Sequence, residues 1–139
     1  NLVGGGVPLG QTPWQALQRE GWEEAGLSAQ RLSTAKAGRI VSIERSLVEH
    51  RAEGWQREHI HSFDLQLPTG ERPENQDGEV AGFHCLPLAQ ALTLAAGSTM
   101  TVDAALVTLD FALRHQLLGA RAGALATAAA SLWVAPGVR

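Results

Sequence analysis

The stretch Gly4-Gly5-Gly6-Val7-Pro8-Leu9-Gly10-Gln11-Thr12-Pro13-Trp14-Gln15-Ala16-Leu17-Gln18-Arg19-Glu20-Gly21-Trp22-Glu23-Glu24-Ala25-Gly26-Leu27 is a glycine-rich loop running directly into a helix. Thr12 is placed to cap that helix, Pro13 fits its first position, and Gln15 completes a T-x-x-Q capping box; Gly26 suits the C-terminal cap. Trp14, Leu17, Gly21 and Ala25 recur at helical spacing and predict one apolar stripe, with a close backbone approach at Gly21. The acidic residues lie elsewhere. Glu20, Glu23 and Glu24 fall at i, i+3 and i+4 on one flank, where like charges repel by about 0.2–0.5 kcal/mol per pair. A hard divalent cation offsets such repulsion, and Mg²⁺ characteristically joins a few carboxylates to waters and substrate phosphates. The alternative is a solvated acidic helix face.

Outward from this helix, Asn1-Leu2-Val3 reads as the end of a strand, and Ser28 as the cap of a short helical turn through Leu32. Gly38 to Glu49 and Gln56 to Leu67 read as two extended segments joined by the polar turn His50-Arg51-Ala52-Glu53-Gly54, a hairpin. Alternation in the second segment puts Arg57, His59, His61, Phe63, Leu65 and Leu67 on one face, expected to be the inner one. Pro68 to Gly78 is a polar loop, Glu79 to Leu86 a short strand candidate, and Leu88 to Ala96 a short helix. A longer helix is predicted from a Thr101 cap to Gly119, with Val102, Leu106, Leu109, Leu113 and Leu117 toward the core. Residues 119–139 form an Ala-rich tail with weak capping signals, so residues 1–118 are expected to be the domain proper.

A chain of 139 residues with 45% hydrophobic content is sized for a single core. Lys plus Arg (11) fall short of Asp plus Glu (14), and the net charge of -3 disfavours a nucleic-acid-tracking surface. The lone Cys85 allows neither an internal disulfide nor a thiolate metal site, which fits a reducing, cytoplasmic setting. No apolar run approaches the ~20 residues of a membrane span. The chain opens on Asn1 with neither Met nor a basic leader, and reads as a fragment.

Read across the loop and helix, Gly5-x5-Gln11-x7-Arg19-Glu20-Gly21-x-Glu23-Glu24-x-Gly26-Leu27 resembles the 23-residue Nudix box, G-x5-E-x7-R-E-U-x-E-E-x-G-U, with U a bulky aliphatic residue. Seven fixed positions match; Gln11 replaces the first glutamate and Gly21 the aliphatic residue. The resemblance implies an α/β/α sandwich with a mixed sheet whose first strands lie upstream of Asn1, and hydrolysis of an organic diphosphate by a small-molecule diphosphatase using Mg²⁺ or Mn²⁺. It assigns Glu20, Glu23 and Glu24 as metal ligands and Glu20 and Glu24 to the catalytic centre. Gly5, Gln11 and Arg19 are supporting residues, Arg19 orienting the glutamates through charge-assisted hydrogen bonds. Homodimers are common in the family, so a homodimer is an open expectation.

A finer resemblance rests on shorter blocks: Asn1-Leu2-Val3-Gly4-Gly5-Gly6, Trp22-Glu23-Glu24-Ala25-Gly26, Glu53-Gly54-Trp55-Gln56-Arg57-Glu58, Asp64-Leu65-Gln66-Leu67-Pro68 and Asn75-Gln76-Asp77-Gly78-Glu79-Val80. These are similar to a Nudix branch associated with thiamine pyrophosphokinase, which implies thiamine diphosphate or its oxidised forms as substrate. ADP-ribose or nucleotide-sugar hydrolysis is the alternative within the enzyme class; a catalytically silent ligand-binding module is the alternative outside it. Glu79 stands where such enzymes often place a further metal-binding or general-base carboxylate, or else it is a surface or turn residue. Asp77 is weaker, because Asp-Gly commonly marks a turn. Arg57, His59 and His61 are candidates for substrate phosphate contacts, against the reading that the histidines are hydrogen-bonded residues at the core edge. A zinc site from this pair lacks further ligands.

Overall fold

The computed structural model describes residues 1–49 and 52–133, so His50 and Arg51 of the expected turn and residues 134–139 of the tail lie outside the described residues. The fold is α/β. It comprises α1 (Pro13–Ala25), α2 (Ala29–Leu32), β1 (Lys36–Glu49), β2 (Ala52–Asp64), α3 (Leu88–Ala95), α4 (Val102–Arg114) and α5 (Ala122–Ala129). Two compact units divide the chain, Asn1–Lys36 with Phe63–Ala91, and Ala37–Ser62 with Leu92–Arg139.

In the first unit α1 starts as local chemistry dictates. The Gln15 amide donates to Thr12 Oγ1 at 3.2 Å and the Gln15 side-chain oxygen accepts from the Thr12 amide at 2.8 Å, a complete capping box. At the far end Gly26 takes the left-handed conformation, φ 66°, and its amide closes onto the Trp22 carbonyl at 2.8 Å. Ser28 caps α2, its hydroxyl accepting from the Arg31 amide at 3.2 Å. The buried stripe of α1 is Ala16, Gly21 and Ala25, with Trp14 and Leu17 only half-buried; small residues face inward because the Leu32 side chain of α2 lies where a Gly21 Cβ would stand, 3.1 Å away. Trp14 meets Phe63 edge-on, ring centroids 5.8 Å apart.

Two expected strands of this unit do not form. Asn1 to Val3 and Glu79 to Leu86 have no regular secondary structure. The second segment is held instead by side chains: Asn75 Nδ2 donates to the Val80 carbonyl at 2.7 Å, while Gly82 and the exposed His84 and Cys85 bury little.

In the second unit β1 and β2 pair as a two-stranded sheet, antiparallel because so short a connection permits nothing else. The alternation runs opposite to expectation. Ser62 is buried and Ile60 half-buried, whereas Arg57, His59 and His61 are exposed. Burying the basic face would strand charge, and Gly38 opens a slot for the Ser62 hydroxyl and the Arg114 guanidinium instead. Val41 and Ile43 of β1 complete the buried face. Helix α4 stops at Arg114, short of Gly119, because Gln116 turns left-handed at φ 56°. Its fully buried positions are Ala104, Thr108, Asp110 and Ala112; the expected leucines 106, 109 and 113 are half-buried, and Val102 and Leu117 are exposed. Asp110, 1% exposed, is held by Arg114 Nε at 2.6 Å and by Arg39 Nε at 3.6 Å, and Arg39 lies 4.1 Å above the Trp133 ring. Among the described residues no helix is long and apolar enough to cross a membrane.

Candidate active site

Glu20, Glu23 and Glu24 lie toward the C-terminal end of α1, whose last turn carries no basic residue to answer the negative end of the helix dipole. Mutual repulsion and the dipole both oppose them, each effect worth tenths of a kcal/mol to about 1 kcal/mol. The protein offsets part of this cost locally. Arg19 reaches Glu20 Oε1 at 2.6 Å and Glu23 Oε2 at 2.9 Å, so one guanidinium spans two carboxylates. Its hydrogen bonds to Glu23 and then Glu20 raise the Arg19 pKa further above its ordinary value.

The glycine loop supplies the rest. The Gly4 amide donates to Glu24 Oε2 at 2.9 Å, and a Cβ on Gly5 would collide with the Glu20 carboxylate, so only glycine lets the loop backbone lie against that side chain. Glu20 is more enclosed than Glu23, its side chain 14% exposed against 40%. Gln11 is exposed, and its amide closes a turn onto the Pro8 carbonyl at 3.0 Å.

A second loop seals the helix exit. The amides of Gln76 and Asp77 donate to the Glu23 carbonyl at 2.8 and 3.2 Å, and that of Glu74 to the Ala25 carbonyl at 3.1 Å, satisfying carbonyls that a helix end leaves open. Gly26 matters here a second time, since a Cβ on it would stand 3.0 Å from the Glu74 carbonyl oxygen and from Gln76 Nε2. Asp77 Oδ1 accepts from the Glu79 amide at 2.9 Å, which makes Asp77 a turn residue, and Glu79 itself is exposed just beyond.

Gly5, Arg19, Glu20, Glu23 and Glu24 are thus brought together, with Glu79 on the loop anchored to the same helix. Arg57, His59 and His61 belong to β2 in the other unit, where Arg57 is paired with Glu44 of β1. Burial, and then the charge of neighbouring His59, lower the pKa of His61. Sequence reasoning missed the Gly4 amide and the structural part of Asn75, although the Asn75-Gln76-Asp77-Gly78 run carries the composition of a side-chain-closed turn.

The donor chemistry of the α1 flank fits a hard cation: three carboxylates at i, i+3 and i+4, and a glycine that keeps the Glu20 carboxylate against the loop. It is not a closed cage. Among the described residues no three His, Cys, Asp or Glu side chains converge as a ready-made site, so an ion held here would complete its shell with water and substrate oxygens.

Comparison with known proteins bears on the same segment. The family described as NUDIX domain matches residues 1–105. The chain is 35% identical over 119 residues to Nudix hydrolase 24, chloroplastic, of Arabidopsis thaliana, a match covering 85% of this chain and 32% of that protein. It is also 35% identical over 117 residues to Nudix hydrolase 20, chloroplastic, of the same plant, covering 83% of this chain and 30% of that protein. The chain therefore spans about a third of the length of these relatives.

Proposed function

Because the chain belongs to the Nudix family, we propose that it is the catalytic part of a metal-dependent hydrolase of an organic diphosphate. The observation that carries this reading is the α1 exit, where Glu20, Glu23 and Glu24 are kept together against helix electrostatics by Arg19, the Gly4 amide and the space left at Gly5.

Glu20, Glu23 and Glu24 would hold Mg²⁺ or Mn²⁺, which when bound would neutralise charge on the diphosphate. Water attacks a phosphorus atom, the bridging P–O bond breaks, and the products are a monophosphate and a second phosphate-bearing or inorganic fragment. Glu79 takes the proton from the attacking water, with Glu20 as the alternative base. Arg19 keeps Glu20 and Glu23 aligned, Gly5 sets the depth of Glu20, and Gln11 supports the loop without charge. Arg57, His59 and His61 stand at alternate positions of β2, and the chemistry of three cationic or protonatable groups there supports a role in contacting phosphate.

For the substrate, the short sequence blocks support thiamine diphosphate or a damaged analogue, released as the monophosphate and phosphate. ADP-ribose or a nucleotide sugar is the second reading within the class. Turnover by the full-length protein of thiamine diphosphate, oxothiamine-type analogues, ADP-ribose, dinucleotides and nucleoside triphosphates, each with Mg²⁺ and with Mn²⁺, tests the proposal. Glu24→Gln is expected to lower turnover by at least ~100-fold, the loss of one charge from the cluster. A protein that binds one of these compounds and releases no product is a silent binding module, and the hydrolase reading is then wrong.

A further inference from the structure

Asn75 is half-buried in the loop that follows Pro68, and every polar atom of its side chain is engaged. Oδ1 accepts from the amides of Asp77 at 3.2 Å and Gly78 at 3.1 Å, and Nδ2 donates to the Val80 carbonyl at 2.7 Å. The side chain therefore closes residues 75–80 on themselves. The same loop is anchored outward, with the Gln76 and Asp77 amides on the Glu23 carbonyl and the Glu74 amide on the Ala25 carbonyl. The Asp77 amide is shared between Asn75 Oδ1 and the Glu23 carbonyl, each at 3.2 Å, so the internal closure and the external anchor meet at one N–H group.

Geometry then limits Glu79. It lies two residues beyond Asp77, at most about 7 Å of extended chain, and its own amide is held by Asp77 Oδ1 at 2.9 Å. Glu23, whose carbonyl anchors the loop, contributes one of the three carboxylates. Without the Asn75 closure nothing regular holds residues 78–82, because this segment forms no strand.

We propose that Asn75 is a positioning residue: it holds Glu79 at a fixed reach from the glutamates of α1, acting through the loop backbone and touching neither substrate nor ion. This rests on the diphosphate-hydrolase reading and extends it to a residue outside the box. A purely structural Asn75 would alter stability and expression alone. A positioning Asn75 alters the chemical step while leaving substrate binding in place.

The test compares Asn75→Ala and Asn75→Asp in the full-length protein, by hydrogen exchange of individual amides and by kinetics with Mg²⁺ on thiamine diphosphate, or on ADP-ribose if that is the compound turned over. Asp keeps the oxygen that accepts from the Asp77 and Gly78 amides but sets an acceptor oxygen, in place of the donor, against the Val80 carbonyl, so it retains only that half of the closure. Asn75→Ala is expected to speed exchange at Gln76, Asp77 and Gly78 by ~10-fold or more with exchange in the α1 interior unchanged, and to lower kcat ~10-fold or more with KM within about twofold. Asn75→Asp is expected to recover most of both. Unchanged exchange at those three amides, or a kcat of Asn75→Ala equal to that of the parent, overturns the proposal; so does a kcat loss that Asn75→Asp repeats in full while protection at those three amides is restored. A parent protein with no turnover on the substrate panel overturns the hydrolase reading and the positioning role with it. Protection at Gln76 to Gly78 lost in Asn75→Ala would then show that the loop closure alone is right.

Discussion

Replacing Gly5 by Ala separates the geometry of the glutamate flank from its charge. Gly5 does not adopt a positive φ, so alanine is tolerated by the backbone, and the only cost is the methyl group against the Glu20 carboxylate. The carboxylate must rotate away, breaking its 2.6 Å bond to Arg19. A side chain pushed ~30° off its rotamer costs about 0.5–1.5 kcal/mol, which for a domain of this size lowers Tm by roughly 2–6 °C. Activity should suffer more than stability, because misplacing a reacting group by ~1 Å costs on the order of 100-fold in rate. Gly6→Ala is the matched control, since nothing lies within 4 Å of a Cβ there and φ is not positive. Thermal melts and initial rates on both variants decide the matter. Equal rates for Gly5→Ala and Gly6→Ala would refute the claim that the loop sets the position of Glu20.

The other expectations are structural. Gly21→Leu restores the aliphatic residue of the box but drives it into Leu32, which is buried and already 3.1 Å from the Cβ position, so denaturant melts should show a loss of about 1–3 kcal/mol. Asp110→Ala leaves the Arg114 guanidinium without its 2.6 Å partner in a mostly buried setting, and urea unfolding should report a loss of about 3 kcal/mol, with any smaller effect pointing to water access. His61 has its pKa lowered below 6.5 by burial and then by His59, so the unfolded chain binds the proton more readily and stability falls as pH drops below about 6.5; His61→Gln should flatten that slope in melts taken between pH ~7.5 and ~5.5.

What could be read in the sequence was what is decided locally. The capping box at Thr12 and Gln15, the glycine exit at Gly26 and the acidic flank of α1 depend on residues within a few positions of one another, and all three stand as expected. The face of β2 was misread for a definite reason. Of the apolar residues that set the expected inner face, Phe63, Leu65 and Leu67, only Phe63 falls within the strand, which ends at Asp64, so little apolar weight bears on which side of residues 56–62 is buried. The buried side is instead set by Gly38 and Arg114, residues distant in sequence. Asp110 shows the same limit. Its i+4 partner Arg114 is local, but Arg39, whose guanidinium and amide also face the buried carboxylate, lies 71 residues away in sequence.

The two departures from the family pattern acquire a physical meaning that the spacing alone could not give them. At Gly21 the missing aliphatic volume is supplied by Leu32 from the following helix, so the packing face of α1 is filled from the other side and the helix is not hollowed. At Gln11 the lost charge falls on an exposed loop residue held through its backbone, while the carboxylates are held by Arg19 and the Gly4 amide. Neither change reaches Glu20, Glu23 or Glu24. The glycines that match the family pattern, by contrast, are each fixed by contact: Gly5 by the Glu20 carboxylate, and Gly26 by its φ of 66° and by the loop at Glu74 and Gln76. Both departures from the family pattern, at positions 11 and 21, thus leave the contacts of the carboxylate flank in place. Glycine at position 5 serves to admit the Glu20 carboxylate, since a Cβ there would stand within contact of its oxygens.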